Sequence, residues 1–304
     1  MKVLMKFAVV GLVLSITLAS PAAGKLSVVA STLDMADVAR QVGGERVSVY
    51  AISTGKYDLH FFDPRPSQVM KLRSADLLIV GGLDVDVWIQ SMIDASRNPK
   101  INFGAAGYVD PSEGVRPIQV PKGRIDGAMG DVHPYGNPHY WFTRENLRIA
   151  AENIARGLSR VSPENAEYFE KRKDAYLREI DEVFDELHEK LAPFKGTKVI
   201  QYHQSWDYFC IEFGLEIVAS LEPKPGIPPS ASHLAEVVKT ARREDARLML
   251  VEPYYPRRPV EFVARETKAE VLRLPLYLGG KKGVDTYLDN LRYVVDQIVG
   301  ALSK

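Results

Sequence analysis

Six histidines punctuate the 304 residues: His60, His133, His139, His188, His203 and His233. Imidazole binds metals and carries protons near neutral pH, so the surroundings of each ring decide its use. Two of them stand six positions apart in GDVHPYGNPHYW (130–141), where Gly and Pro stiffen a segment with no helical or strand pattern. A rigid loop around imidazoles suggests that something is held there. His60, in GKYDLHFFDPRPSQ, falls after a strand-like run and before a helix opened by proline; His203, in VIQYHQSWDYF, ends another strand. Ligands of open parallel sheets bind beyond the carboxyl ends of strands, so His60 and His203 can face one cleft and His139 can join them from the loop. Three neutral imidazoles meeting at a point make a transition-metal site, with Zn²⁺ the first candidate. His188, among charges in DELHEK, and His233, in the first turn of a helix, read as surface residues. For His133 three readings stay open: a group that steadies a ligand, one that meets the ion on its way in, or an ordinary loop histidine.

The elements that must position these side chains alternate regularly. LSVVAST (26–32), RVSVYAI (46–52), DLLIVGG (76–82) and INFGAA (101–106) read as strands, separated by helical patterns in DMADVARQVG, PSQVMKLRSA and DVWIQSMIDAS. The alternation returns with TKVIQYH (197–203), LEIVAS (215–220), ARLMLVE (246–252) and AEVLRLP (269–275). Near-continuous Val/Ile/Leu runs, each followed by a helix, predict an α/β fold of two lobes, each a parallel sheet flanked by helices. Residues 25–160 form the first lobe and 195–304 the second. Between them, Ser162, Pro163 and Glu164 suit a helix start. Phe169, Tyr176, Ile180, Val183, Phe184, Leu187 and Leu191 then repeat at helical steps. This predicts one long spine helix over 162–191 that limits lobe motion to small tilts. Residues 110–138, ten of whose 29 positions are Gly or Pro, form a loop too long for a mere connection.

The amino terminus adds a location. MKVLMK, fourteen apolar residues and PAAGK have the order of a secretory signal peptide over 1–24. The apolar stretch falls short of the about 20 residues that span a bilayer, and no later stretch spans one either. The expectation is a periplasmic protein, with no cysteine near the cleavage zone to carry a lipid anchor. The lone cysteine, Cys210, reads as a small buried apolar residue. Equal counts of basic and acidic residues, 39 each, leave no electrostatic case for nucleic acid or an anionic membrane. A monomer with a small ligand or a specific protein partner fits best.

YDLHFFDPRPSQ, GNPHYW, YHQSWDYFCIEFGL and VEPYYPRRPVEFVARET followed by VLRLP resemble, in register along essentially the whole mature chain, the metal-binding solute receptors of ABC importers for zinc and manganese. The resemblance implies metal ligands at His60, His139 and His203, a membrane permease as partner, and capture rather than catalysis. It leaves His133 a helper or a bystander. The family's carboxyl-terminal aspartate is missing: Leu274-Pro275-Leu276 stands where it belongs. Glu252, ending ARLMLVE, is then the nearest candidate for a fourth ligand or for a group that steadies a histidine. Asp285 is weaker, since helix capping explains it, and water could complete the site. The long loop also lacks a His-rich tract. With imidazole in the third position the expected ion is Zn²⁺ in preference to Mn²⁺.

Two other functions are compatible with the same residues. Three histidines and a water can make a hydrolytic zinc site with Glu252 as base, although no HExxH pair is present. The aromatics Tyr140, Trp141, Tyr202, Trp206 and Tyr254–Tyr255 could instead wall a siderophore or haem, though packing around the ligands explains them as well.

Overall fold

Apolar runs with little polar alternation suit strands buried on both faces, and the computed structural model, which describes residues 24–123 and 130–304, pairs them in that way. Strands β1 (Leu26–Ala30), β2 (Val47–Ala51), β3 (Leu77–Ile79) and β4 (Tyr108–Val109) form one all-parallel sheet in the order β2-β1-β3-β4. Strands β5 (Lys198–Gln201), β6 (Glu216–Ser220), β7 (Leu248–Val251) and β8 (Glu270–Arg273) form a second, in the order β6-β5-β7-β8. In each sheet the strand order reverses beside the first strand, which opens a crevice beyond its carboxyl end. The expected two-sheet α/β architecture is the one observed. The leader expected over 1–24 falls on residues outside the described ones except Gly24, as do positions 124–129 of the long loop.

Helices α1 (Leu33–Gly43), α2 (Pro66–Arg73), α3 (Ile89–Ser96) and α4 (Arg144–Val161) accompany the first sheet, and α6 (Asp207–Phe213), α7 (Ala231–Arg243) and α8 (Arg257–Thr267) the second. Between them runs α5 (Ala166–Leu191), about 39 Å long at 1.5 Å per residue. Every position of the expected stripe, with Leu177 added, is buried. That stripe packs against α1 and α4 on one side and against α6 and the carboxyl-terminal helix α9 (Tyr287–Leu302) on the other. One continuous apolar cluster therefore includes residues of both sheets, from Val28 to Leu250. The spine begins later than its capping signals suggest. Pro163–Asn165 form a 3-10 turn, and the Ser162 hydroxyl bonds the Glu164 carboxylate instead of capping a backbone N–H.

One predicted strand is absent. Pro99–Ile101 form a 3-10 turn capped by Asn98, and Gly104 sits at a φ of +78°, so INFGAA cannot extend. The edge strand comes two residues later, where Tyr108 and Val109 pair with Leu78 and Ile79.

Backbone N–H groups of the last loop tie it to the first helix. Leu278 N donates to Asp34 Oδ1 (3.0 Å) and Tyr287 N to Asp37 Oδ2 (2.8 Å). Gly55, at φ +69°, leads into the loop carrying His60, and a Cβ there would overlap the Leu278 carbonyl. Left-handed strain of about 1–2 kcal/mol and overpacking of about 1–3 kcal/mol add at this site. Gly55→Ala should therefore lower the unfolding free energy in urea by about 2–5 kcal/mol. An unchanged midpoint would contradict the close approach.

Candidate metal centre

His60 lies in the segment between β2 and α2, its backbone N–H donating to Asp58 Oδ1 (3.0 Å) while Trp88 Nε1 holds the Leu59 carbonyl (3.0 Å). Asp58 is gripped from the other sheet's side by the Tyr255 hydroxyl at 3.2 Å. His203 lies two residues beyond the end of β5. His139 is seated by an Asn-Pro turn: its N–H donates to Asn137 Oδ1 (3.0 Å), and Asn137 Nδ2 donates to the Gln204 carbonyl (2.8 Å). The next three residues, Tyr140–Phe142, form a fully buried 3-10 turn anchored by Tyr140 Oη to the Gly81 carbonyl and by Tyr287 Oη to the Trp141 carbonyl. The stiffness read from GNPHYW thus has a physical source in the buried aromatic turn that follows the ring and in Asn137, which holds its backbone.

The three imidazoles form a nearly equilateral triangle, with centroids 5.4 Å (60–139), 5.4 Å (60–203) and 5.5 Å (139–203) apart. One ring nitrogen from each lies within 4.8 Å of the others. Both nitrogens of His60 and of His139 are buried with no hydrogen-bond partner. A buried polar atom left unpaired costs about 1–3 kcal/mol, and four of them in one spot call for a ligand. Burial, then the neighbouring imidazoles, push His60 and His139 well below the ordinary histidine value, so both rings are neutral donors. Burial also acts to lower His203, but Glu222, 2.8 Å from its Nδ1, outweighs that and raises it. The same contact keeps the proton on Nδ1 and leaves Nε2 free for an ion.

Glu222 was not singled out from sequence. Its signal was available, since it lies just beyond the carboxyl end of β6 as His203 lies beyond β5. Loss of a carboxylate that orients a ligating histidine typically costs 10–100-fold in metal affinity. Glu222→Ala should weaken zinc binding by about that factor in a competition titration, while an unchanged affinity would remove it from the site.

Glu252 is fully buried, accepts a hydrogen bond from the Ser205 hydroxyl through Oε1, and leaves Oε2 unpaired. Burial pushes its carboxyl up to about 7. Its oxygens do not belong to the clustered donor set; its influence on His203 is through charge. Asp285 is farther off, on a surface cleft beside Lys56 and Lys282. His188 bonds Glu212 (2.8 Å) and His233 bonds the Ser220 carbonyl (3.1 Å), both away from the centre. His133 is brought closer than expected for a bystander, 4.8 Å from His60 by centroid, and with Asp131 and His60 makes a second potential donor group. Trp141 meets His139 edge-on and Tyr255 stacks on His203. The cavity reaching the rings is about 50 Å³, far below the 300–1,000 Å³ of small-molecule pockets, so a bare ion fits and a siderophore or haem does not.

Comparisons with known proteins give the chain a family and a fold. The family model for the periplasmic zinc-uptake complex component A (ZnuA) matches residues 28–301. The manganese ABC transporter substrate-binding lipoprotein PsaA of Streptococcus anginosus is 26% identical over 290 residues, covering 92% of this chain and 90% of that protein. The iron-binding protein YfeA of Yersinia pestis is 25% identical over 288 residues, covering 92% and 87%. A crystal structure of ZnuA superposes with a TM-score of 0.76 at 23% identity, covering 91% of this chain and 98% of its own, a likeness of fold.

Proposed function

The chain belongs to the periplasmic zinc-uptake component family, whose members are metal-binding substrate receptors of ABC importers and not enzymes, and from that premise we propose that its cargo is zinc, held by His60, His139 and His203 between the lobes 25–160 and 195–304. The observation that carries this reading is the donor chemistry: the three clustered donors are all imidazole nitrogens, two of them kept neutral by burial. Nitrogen suits zinc, whereas manganese prefers oxygen. Glu222 steadies His203, and Glu252 compensates the ion's charge from beyond the ligands.

Relatives are named for manganese and for iron, so the ion has to be tested on this chain. Among the described residues no helix is long and apolar enough to cross a membrane. Although several relatives are named lipoproteins, the single cysteine here, Cys210, is buried in α6. The reading is of a receptor freed by cleavage of residues 1–24 that works as a monomer and hands zinc to a permease. Chelator-stripped protein offered equal zinc and manganese should emerge from gel filtration with one zinc per chain and negligible manganese. Retention of manganese at a comparable level would overturn the zinc assignment.

A further inference from the structure

We propose that Asp131, His133 and His60 form an outer cation station through which a divalent transition ion passes on its way to the buried His60/His139/His203 group. The proposal rests on the capture reading above. Donor atoms of the three outer residues lie within 4.8 Å of one another, as do those of the inner group. His133 is 9% exposed, and its Nε2 is buried with no hydrogen-bond partner. A hydrogen bond to the backbone of Asp84 takes the other ring nitrogen, which leaves Nε2 with the lone pair. The same division of labour prepares His203 for an ion. Asp84 and its neighbour Leu83 both adopt left-handed backbone, at φ +60° and +48°. Two consecutive non-glycine residues in that region are strained and persist only where surroundings impose them.

Asp131 is held through its backbone N–H on the Pro225 carbonyl (2.7 Å), with its carboxylate oxygen 3.4 Å from His60 Nδ1. Its side chain is 34% exposed against 3% for His60, so the station spans from solvent to the interior. The small cavity beside it is lined by Asp131 and His133 together with His139 and His203, which joins the two groups.

His60 belongs to both groups, and a neutral imidazole has one lone pair. Whichever nitrogen it offers, it serves one ion at a time. The two groups are therefore alternative positions, not a two-ion site. The outer one carries a carboxylate that offsets the cation's charge while water is shed; the inner one is all nitrogen. A borderline ion such as zinc moves inward by exchanging Asp131 and His133 for His139 and His203 without leaving His60.

A station crossed in both directions sets rates, while the resident site sets affinity. Stripped protein mixed rapidly with zinc, and loaded protein mixed with excess fluorescent chelator, report uptake and release. In both Asp131→Asn and His133→Ala, uptake and release should slow together by about tenfold or more, with the equilibrium constant moving less than about threefold. Asp131→Asn is partly exposed and nearly isosteric, which keeps the test independent of folding. In a His139→Ala background, weak residual zinc binding should remain, and adding His133→Ala should abolish it. Unchanged rates, an affinity loss matching that of His139→Ala, or residual binding indifferent to His133 would each overturn the station. If the unaltered protein binds no zinc, the capture reading itself falls instead.

Discussion

Replacing His139 with alanine is expected to weaken zinc binding by more than about 100-fold, while His133→Ala leaves the equilibrium affinity within about threefold. The contrast is large because the two rings, six residues apart on one loop, have different places in the structure. His139 is 1% exposed, belongs to the all-nitrogen triangle, and has two buried nitrogens with no hydrogen-bond partner. Removing a group that merely orients a ligand costs 10–100-fold, so removing one of three ligands must exceed that. His133 meets the triangle at His60, 4.8 Å away by ring centroid, and keeps its own backbone bond to Asp84. Thermal unfolding provides a second readout. An ion that binds only the folded state stabilises by RT ln(1 + [L]/Kd), so a 100-fold loss removes about 2.7 kcal/mol of zinc-induced stabilisation. Equal losses for the two variants would mean that His133 sits in the resident site.

Acidification from pH 7.5 to 5.5 should reduce zinc affinity by at least about tenfold, with one or two protons taken up per ion released, by His203 and by Glu252. The sign follows from the direction of each shift. Burial and the neighbouring imidazoles push His60 and His139 well below the ordinary value of 6.5, so neither is the first ring to compete for a proton. His203 is raised above 6.5, so a proton displaces the ion from it first. Binding weakens as the pH falls through that value, by at least about tenfold over the unit from 6.5 to 5.5, and the neighbouring Glu252 carboxyl, pushed up to about 7 by burial, steepens the fall. Three ordinary histidines would instead approach a slope of three. Isothermal titration in buffers of different protonation enthalpy measures the proton count directly. A flat profile, or an exchange of three or more protons, would contradict the electrostatics described for this site.

Much of this architecture could be read from residue order because its signals are local. Unbroken Val/Ile/Leu runs mark seven of the eight strands, and the α5 stripe is an arithmetic property of one segment. The nearness of the His60, His139 and His203 rings follows from the rule that strand ends face the crevice. Features that depend on long-range contacts were not readable. The loop 110–138 has no periodicity, and its described residues are held by long-range bonds such as Ile118 on Tyr208, Gln119 on Asp207, Asn137 on Gln204 and Asp131 on Pro225; contacts of this kind bring His133 and Asp131 beside His60. Glu222 is recruited across a parallel strand pair. Glu252 does end a strand as expected, but the Ser205 hydroxyl bonds Oε1, Oε2 stays unpaired, and neither oxygen is among the clustered donors. INFGAA misled because apolar composition outweighed the turn forced by Asn98 and Gly104.

The measurement that bears most directly on the central claim is a crystal structure of the zinc-loaded protein with anomalous data collected at the zinc edge. One anomalous peak should lie at the centre of the triangle, with a nitrogen from each of His60, His139 and His203 at about 2.0–2.1 Å. A peak bound elsewhere, or one contacted by fewer than three of these rings, would contradict it.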